Sequence, residues 1–156
     1  INILEVWKLI IDYFEIRDYF ASRDYYEPKL RLYNAIFHNI EEFIDPNEIN
    51  IFYPKNLFIE GSDLEVYILN NSQILRCRII DEDRIEIKIF FLKDLKDFTC
   101  ECVKISYEDY YHKLILKFND NEILILDSSM DTNFSWKTKF EKQIKEIIKV
   151  IINKNI

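Results

Sequence analysis

Glycine is nearly absent from this chain, which contains a single glycine, Gly61, among 156 residues. Phosphate-binding loops, dinucleotide-binding fingerprints and nucleophile elbows each need several glycines, because the backbone there approaches a phosphate or turns sharply. Histidine is also scarce: His38 and His112 match no metal-ligand spacing and are predicted to be solvated surface residues. The sequence therefore predicts no catalytic residue, no cofactor and no metal.

Positive charge and long apolar runs are also limited. The formal net charge is −7, and no basic face is visible outside the lysine-rich C-terminal stretch, so nucleic acid is not an expected partner. No apolar run approaches the roughly 18 residues that cross a membrane, so no transmembrane segment is expected. The three cysteines are an odd number without a visible secretory leader, which is typical of reduced thiols in a cytoplasmic protein.

Hydrophobic periodicity predicts a long C-terminal helix from Met130 to about Asn153. Large apolar residues recur there at helical spacing: Trp136, Phe140, Ile144, Ile147, Ile148 and Ile151. Lysines fall mostly between them, on what is expected to be the solvated side. Such a helix needs an apolar surface to cover, and Trp136 at its beginning is expected to be buried.

The N-terminal part, residues 1–46, is predicted to form a helical hairpin. Apolar spacing indicates one helix from Asn2 to about Phe20, and Pro28 suits the first turn of a second helix. Asp45-Pro46 ends this second helix, because proline disfavours a helical conformation in the residue before it. The expected buried face of the second helix consists of Leu32 or Tyr33, Ile36, Phe37, Ile40, Phe43 and Ile44.

After residue 47 the apolar period changes to that of β-strands. Alternating segments, separated by turn residues such as Asn70-Asn71-Ser72, predict six antiparallel strands. These strands cover residues 64–68, 74–80, 85–91, 98–107, 112–118 and 122–127, and either Ile51–Tyr53 or Phe58–Glu60 is a candidate for a further short strand. Antiparallel strands followed by one long amphipathic helix predict an α+β fold.

The segment Arg84–Phe98 is similar to the third strand and following turn of small bacterial pleckstrin-homology-like (PH-like) domains, with Leu92 and Leu95 in the turn. The closing hairpin Lys113–Asp127 and the helix from Met130 also match these domains in order and length. The whole chain further resembles small uncharacterised families of low-GC bacteria and their phages, in keeping with its many isoleucines and lysines.

The resemblance covers about residues 63–153, and it implies that residues 47–156 form an antiparallel sheet or partly open barrel closed by the C-terminal helix. In lipid-binding PH domains a basic pair on the second strand holds inositol phosphates, and Arg76 and Arg78 match that pair. This chain departs from the pattern, because it has no lysine or arginine between Asn56 and Leu75 to complete the anion site. Two outward-facing arginines on a strand, crossing to Glu86 and Lys88, are the favoured interpretation, and lipid is not an expected partner.

The cysteines and the acidic turns offer two further sites to consider. Cys100 and Cys102 fall on one face of a strand and Cys77 lies on another, so a three-thiolate metal site is an alternative to simple packing. Packing as small apolar residues is favoured, because a single-residue spacer is unusual for structural zinc. The acidic run Asp81–Asp83 and the pair Asp94 and Asp97 are interpreted as solvated turn residues.

A second candidate surface is the polar, aromatic connector between the N-terminal helices, with Arg23, Tyr25 and Tyr26. Aromatic residues and arginine are enriched at protein interfaces, although packing of the helix pair on the sheet is the favoured role. The predicted function is non-catalytic binding of a protein or small ligand, as an adaptor module. An anionic-lipid-binding module and a small enzyme with a carboxylate site are the alternatives, and a second copy of the chain is a further candidate partner.

Overall fold

The computed structural model describes residues 11–23, 27–107 and 110–154. Three helices lie in these residues: α1 Tyr13–Ala21, α2 Pro28–Phe43 and α3 Lys137–Lys154. Seven strands accompany them: β1 Ile51–Lys55, β2 Glu65–Leu69, β3 Gln73–Asp81, β4 Arg84–Phe91, β5 Leu95–Lys104, β6 Tyr110–Phe118 and β7 Ile123–Asp127. The predicted α+β fold with a C-terminal helix is confirmed, and the candidate strand at Ile51 is β1.

The start of α2 and the ends of both helices lie close to the predicted positions, but α1 begins later than predicted, because Ile11 and Asp12 are not helical. Asp12 caps α1, because its carboxylate accepts the backbone N–H of Phe14, and Pro28 is the first residue of α2. The earlier part of the predicted first helix, residues 1–10, lies outside the described residues. The predicted burial of Phe43 is wrong: as the last residue of α2 it is 72% exposed.

The first sheet has the order β1-β2-β3-β4, with every pair antiparallel, and it is covered on both faces. On its outer face the helix pair packs, with the Tyr13 ring 5.3 Å from that of Phe52. On its inner face Phe90 meets Phe118 of the second sheet, with ring centroids 5.0 Å apart. Burial on both faces explains why β2 and β3 are almost continuously apolar.

The second sheet has the order β5-β6-β7, again antiparallel, and the described residues form two sheets without a closed barrel. Its first strand begins at Leu95, three residues before the predicted start at Phe98, because the helical turn Leu92–Asp94 leads directly into it. α3 packs against β6 and β1 rather than against β5. The strand β5 is therefore left at the exposed margin of the molecule.

The helix α3 begins at Lys137 rather than at the predicted Met130, because the residues before it are used in tertiary contacts. Asp131 accepts a hydrogen bond of 2.7 Å from the hydroxyl group of Tyr53, and Thr132 donates one of 3.2 Å to the carbonyl of Leu57. Trp136 lies in a short helical turn, partly buried and packed against the core, so its expected burial is confirmed in part. None of the helices in the described part of the chain combines the length and the apolar character needed to cross a bilayer.

Candidate functional site

A cleft of about 600 Å³ opens between α3 and the β5–β6 end of the second sheet, and we call it the β5–α3 cleft. Its size is that of a site for a small ligand or for a few side chains of a partner. The residues that line it are Cys102, Tyr110, Tyr111, His112, Phe134, Thr138, Glu141, Lys142 and Lys145. Aromatic, thiol, imidazole and ammonium groups thus meet at one place, although they come from three separate segments of the sequence.

His112 and Glu141 form a close pair in this cleft. Both carboxylate oxygens of Glu141 lie 2.8 Å from Nδ1 of His112, and one of them also accepts the backbone N–H of His112 at 2.8 Å. The hydroxyl oxygen of Ser128 lies 3.4 Å from the same carboxylate oxygen. Because Glu141 is only 6% exposed, these donors replace the water that its charge would otherwise require. The prediction that His112 is a solvated surface residue is wrong.

The pairing with Glu141 determines which nitrogen of His112 carries the proton in the neutral ring. A carboxylate only accepts hydrogen bonds, so Nδ1 is the donor and holds a hydrogen. In the neutral imidazole, Nε2 then keeps its lone pair and is available as an acceptor or a base. A histidine oriented in this way by a carboxylate is a common component of sites that move protons.

Two of the three cysteines are exposed on β5, which corrects the expectation that all three are packing residues. Cys100 lies opposite Leu114 and Cys102 lies opposite His112 in the register of β5 with β6. Both are exposed because α3 covers β6 but not β5. The pKa of the Cys100 thiol is raised by partial burial and by its neighbours Cys102 and Glu141. Cys77, by contrast, is buried beneath α2, and burial raises its pKa to about 12.

The strand β5 is also an open edge. Its residues pair with β6 on one side, and no other strand in the described residues pairs with its second side. Almost all of its side chains are exposed. An edge of this kind presents a row of backbone N–H and C=O groups that another extended chain can use.

The two arginines singled out in the sequence lie on β3, away from the β5–α3 cleft, and both are paired. The guanidinium group of Arg76 lies 3.0 Å from a carboxylate oxygen of Glu86, and that of Arg78 lies 3.2 Å from the same oxygen. Arg76 is 3% exposed and its guanidinium also lies over the ring of Phe90, so the expectation that both arginines face outward is wrong for Arg76. A phosphate at this position would have to displace Glu86, so the pair does not form an open anion site.

The third predicted arginine, Arg23, lies at a second cleft of about 780 Å³ between the helix pair and the loop after β1. Its guanidinium group stacks 3.8 Å from the centre of the Tyr19 ring, which in turn contacts Phe58. The other two residues of that predicted surface, Tyr25 and Tyr26, lie outside the described residues. Acidic and basic side chains are balanced along this cleft, and they do not converge on one charged group.

The remaining chemical clusters of the sequence do not assemble into a site. Asp81 pairs with Arg84 in the turn between β3 and β4, and this ion pair lowers the pKa of Asp81. His38 is exposed on α2. Within residues 11–23, 27–107 and 110–154, no three histidine, cysteine or carboxylate side chains are arranged to hold a metal ion.

The pair His112 and Glu141 is the feature that sequence reasoning missed, although each residue carried a signal. His112 is in phase with Leu114 and Leu116, so it belongs to the inward face of β6. Glu141 lies three residues before Ile144 but four residues from both Lys137 and Lys145, at the boundary between the apolar side of α3 and its lysines. A polar residue at an apolar position needs a partner when it is buried, and each residue supplies one for the other.

Comparison of the chain with known proteins gives one informative result. Neither the curated proteins nor the solved structures contain a match. A family model described as "Protein of unknown function (DUF3908)" matches residues 12–142, which include both sheets, α2 and the residues of the β5–α3 cleft up to Lys142. Because the match covers most of the sequence, the chain belongs to the DUF3908 family.

Proposed function

We propose that this protein is a non-catalytic binding module that recognises an extended, acidic segment of a protein partner along β5. The observation that carries the proposal is the open edge of β5 beside the β5–α3 cleft. A peptide that adds a strand to such an edge gains backbone hydrogen bonds, and adjacent pockets select its side chains. The cleft supplies a pocket next to the edge.

The charge of the cleft supports an acidic partner. Lys142 and Lys145 line it and are exposed, whereas the carboxylate of Glu141 is occupied by His112. The chain as a whole has a net charge of −7, so this is a local reversal of sign. Complementary charges of this kind accelerate encounter with the right partner and disfavour wrong ones. The same net charge disfavours a second copy of this chain as the occupant.

Exposed aromatic side chains support a protein rather than a small solute. Phe134 is 83% exposed and Tyr110 is 43% exposed, and both line the cleft. A phenylalanine that is left in water gains free energy when a partner covers it. Aromatic anchors surrounded by polar contacts are where interfaces concentrate their affinity.

A peptide selection tests this proposal directly. Random peptides are displayed and selected on the immobilised full chain, and the affinities of the selected peptides are measured in solution. We expect acidic sequences whose affinity falls about tenfold or more in Phe134→Ala, as for an interface anchor. Phe43→Ala is the matched control, because Phe43 is similarly exposed but lies at the end of α2.

Two further measurements complete the experiment, one on the charge of the cleft lysines and one on hydrogen exchange in β5. Reversing the cleft lysines with Lys142→Glu and Lys145→Glu is expected to weaken binding, whereas Lys149→Glu, farther along α3, is expected to have little effect. Bound peptide should also slow hydrogen exchange of the β5 amides. Selection of no peptide, or equal losses in the Phe134 and Phe43 variants, would contradict the proposal.

The two alternatives are less well supported. An anionic-lipid module needs several open cations, and Arg76 and Arg78 share the carboxylate of Glu86. Vesicles that contain phosphoinositides are therefore expected not to sediment the protein at physiological salt. Saturable sedimentation that is lost in an Arg78→Glu variant would favour the lipid function over the peptide function. For a carboxylate-based enzyme, the carboxylates of Asp120 and Glu122 do approach each other, but both are paired with Lys88.

We also propose the PH-like assignment for residues 47–156, and the cytoplasm of a bacterium or phage-infected cell as the setting. The order of a four-stranded and a three-stranded antiparallel sheet followed by α3 supports the fold assignment. Three free cysteines, of which two are exposed, support a reducing compartment. Measurement of the strand pairing by NMR and localisation of the tagged protein would test these points.

A further inference from the structure

Cys102 and His112 are paired across β5 and β6, and both line the β5–α3 cleft. Paired residues on antiparallel strands project from the same face, with Cβ atoms about 4.5–5.5 Å apart. A thiol, an imidazole and a carboxylate that orients the imidazole are the components of an activated cysteine. Here the carboxylate is Glu141, held at 2.8 Å from Nδ1. We propose that Cys102 is a thiol-modification site that reacts with small-molecule disulfides, with His112 as its base.

The step balances as a thiol–disulfide exchange. Nε2 of His112 accepts the thiol proton of Cys102, and the sulfur attacks one sulfur of the disulfide R–S–S–R. The bond from Cys102 to S–R forms while the original S–S bond breaks, and the departing R–S⁻ takes the proton from the imidazolium ring. Cys102 is thereby oxidised to a mixed disulfide, and one R–S–H is released as the reduced product.

The two lysines of the cleft favour a negatively charged disulfide as the reagent. Lys142 and Lys145 line the cleft and attract an anionic reagent, and a nearby cation also stabilises the departing thiolate. The titratable groups that surround His112 in the cleft are Cys102 on β5, Tyr110 and Tyr111 on β6, and Glu141, Lys142 and Lys145 on α3.

The other two cysteines lack this combination. Cys100 is on the same strand and the same face, but it lies opposite Leu114 rather than a histidine. Cys77 is 0% exposed beneath α2, with its sulfur 4.0 Å from the carbonyl oxygen of Ile36. Cys100 is therefore a matched internal reference for an exposed thiol without a base, and Cys77 for a protected thiol.

The thiol chemistry needs no peptide and stands apart from the proposed function. Only one consequence rests on that function, namely that a group attached to Cys102 obstructs the acidic peptide beside β5. The two proposals fail separately, because the peptide selection depends on Phe134 and the exchange reaction depends on His112.

The proposal is tested by measuring the reactivity of each exposed cysteine in the absence of the other. Cys100→Ser retains Cys102 as the exposed thiol, and Cys102→Ser retains Cys100. Each is treated with dithiobis(nitrobenzoate), an anionic aromatic disulfide, and the rate is followed by release of the coloured thiolate. At about neutral pH we expect Cys102 to react about tenfold or more faster than Cys100, a modest share of what a general base contributes. The pH dependence of each rate is recorded as well.

The histidine is tested in the Cys100→Ser background. His112→Asn retains an N–H donor for Glu141 but removes the Nε2 base, and it is expected to reduce the rate of Cys102 to that of Cys100. His38→Asn, which changes an exposed histidine on α2, should leave the rate unchanged. Intact mass after the reaction should show one added group, which establishes that Cys77 has stayed protected and the fold is intact.

Equal rates and equal pH dependence for Cys100 and Cys102 would overturn the proposal. An unchanged rate in His112→Asn would overturn it as well. If His112→Asn instead unfolds the protein, the mass shows modification of Cys77, and the comparison of the two cysteines with His112 in place decides the outcome. The same comparison with an uncharged disulfide is expected to show a smaller advantage for Cys102, because Lys142 and Lys145 no longer attract the reagent.

Discussion

The hydroxyl group of Tyr53 donates a hydrogen bond of 2.7 Å to Asp131, and both side chains are buried. The same carboxylate oxygen accepts the backbone N–H of Asp127 at 2.7 Å, and Lys55 lies 3.7 Å from the other oxygen. This contact attaches the segment between β7 and α3 to β1. It therefore determines where α3 begins and how the wall of the β5–α3 cleft is positioned.

The first prediction concerns how the free energy of unfolding depends on pH through the titration of Asp131. Burial raises the pKa of this carboxyl, and Lys55 and the hydrogen bonds only partly oppose the effect. A folded-state pKa above the unfolded value means that the folded protein binds the proton more tightly. The contribution of Asp131 to the free energy of unfolding is thus present at low pH and is lost as the pH rises through the folded-state pKa.

The measurement is urea unfolding of the wild type and of Asp131→Asn between about pH 7 and about pH 4. The lower limit of this range is close to the ordinary pKa of an aspartate. The free energy of unfolding of the wild type minus that of the variant should increase as the pH falls. Asp81→Asn is a control of opposite sign, because the hydrogen bond from Arg84 lowers the pKa of Asp81. A difference for Asp131 that decreases towards low pH would contradict the assignment.

The second prediction compares two aromatic residues of α3 and its preceding turn. Phe140 is 0% exposed and its ring centroid lies 5.0 Å from that of Tyr53, whereas Trp136 is only partly buried, beside Phe58. We expect Phe140→Ala to cost about 3–5 kcal/mol of unfolding free energy, as large core truncations do. Trp136→Ala should cost clearly less. Denaturant unfolding measures the loss of unfolding free energy in each variant. Equal losses would show that Trp136 stabilises the packing of α3 as much as Phe140 does.

The third prediction uses Cys77 as a reporter of the helix pair on the outer face of the first sheet. In the full chain Cys77 should be alkylated only after unfolding, because it is buried beneath α2 and its thiol pKa is raised. A chain that starts at Asn47 lacks the helices and should expose Cys77 together with Phe52. It is expected to react rapidly and to bind dyes for apolar surfaces. Slow alkylation in the shortened, monomeric chain would mean that the helix pair is dispensable for covering this face.

The fourth prediction concerns Glu86, which pairs with Arg76 and Arg78. The Arg76 side chain is 4% exposed, and its Nε has no hydrogen-bond partner. The carboxylate of Glu86 is therefore the main group that stabilises the buried charge of Arg76. Glu86→Gln keeps one acceptor oxygen but removes the negative charge opposite the buried guanidinium group, so it should destabilise the protein by about 1–3 kcal/mol, the scale of hydrogen bonds to charged groups. Glu82→Gln, in the exposed turn nearby, should change stability little. Thermal unfolding measures the loss of stability in both variants. Equal losses would contradict the role given to Glu86.

Local sequence signals predict the elements well where a strand or helix carries its own boundary. Pro28 opens α2, and Asn70-Asn71-Ser72 separates β2 from β3. The start of α3 is different, because Asp131 and Thr132 bind residues of the β1 region that are more than seventy positions away. Helical periodicity does not contain that information, so the predicted start at Met130 is too early.

The candidate site depends on long-range packing and is therefore mostly hidden from the sequence. The exposure of Cys102 follows from the edge position of β5, which is fixed by the order of strands and by the side on which α3 packs. Glu141 reaches His112 across 29 positions of sequence. The arginines are an exception: the expected crossing of Arg76 and Arg78 to Glu86 and Lys88 is confirmed by the register of β3 with β4, whereas the burial of Arg76 is not expected from the sequence.

The strand β1 has a consequence for cooperativity. Its residue Phe52 contacts the helix pair through Tyr13, and the carbonyl of Phe52 accepts a 2.8 Å hydrogen bond from Gln143 of α3. Its neighbour Tyr53 packs on Phe140 of the same helix. Every layer of the molecule thus loses contacts when this one short strand detaches, so the helix pair, the sheets and α3 are expected to melt in a single two-state transition rather than one after another.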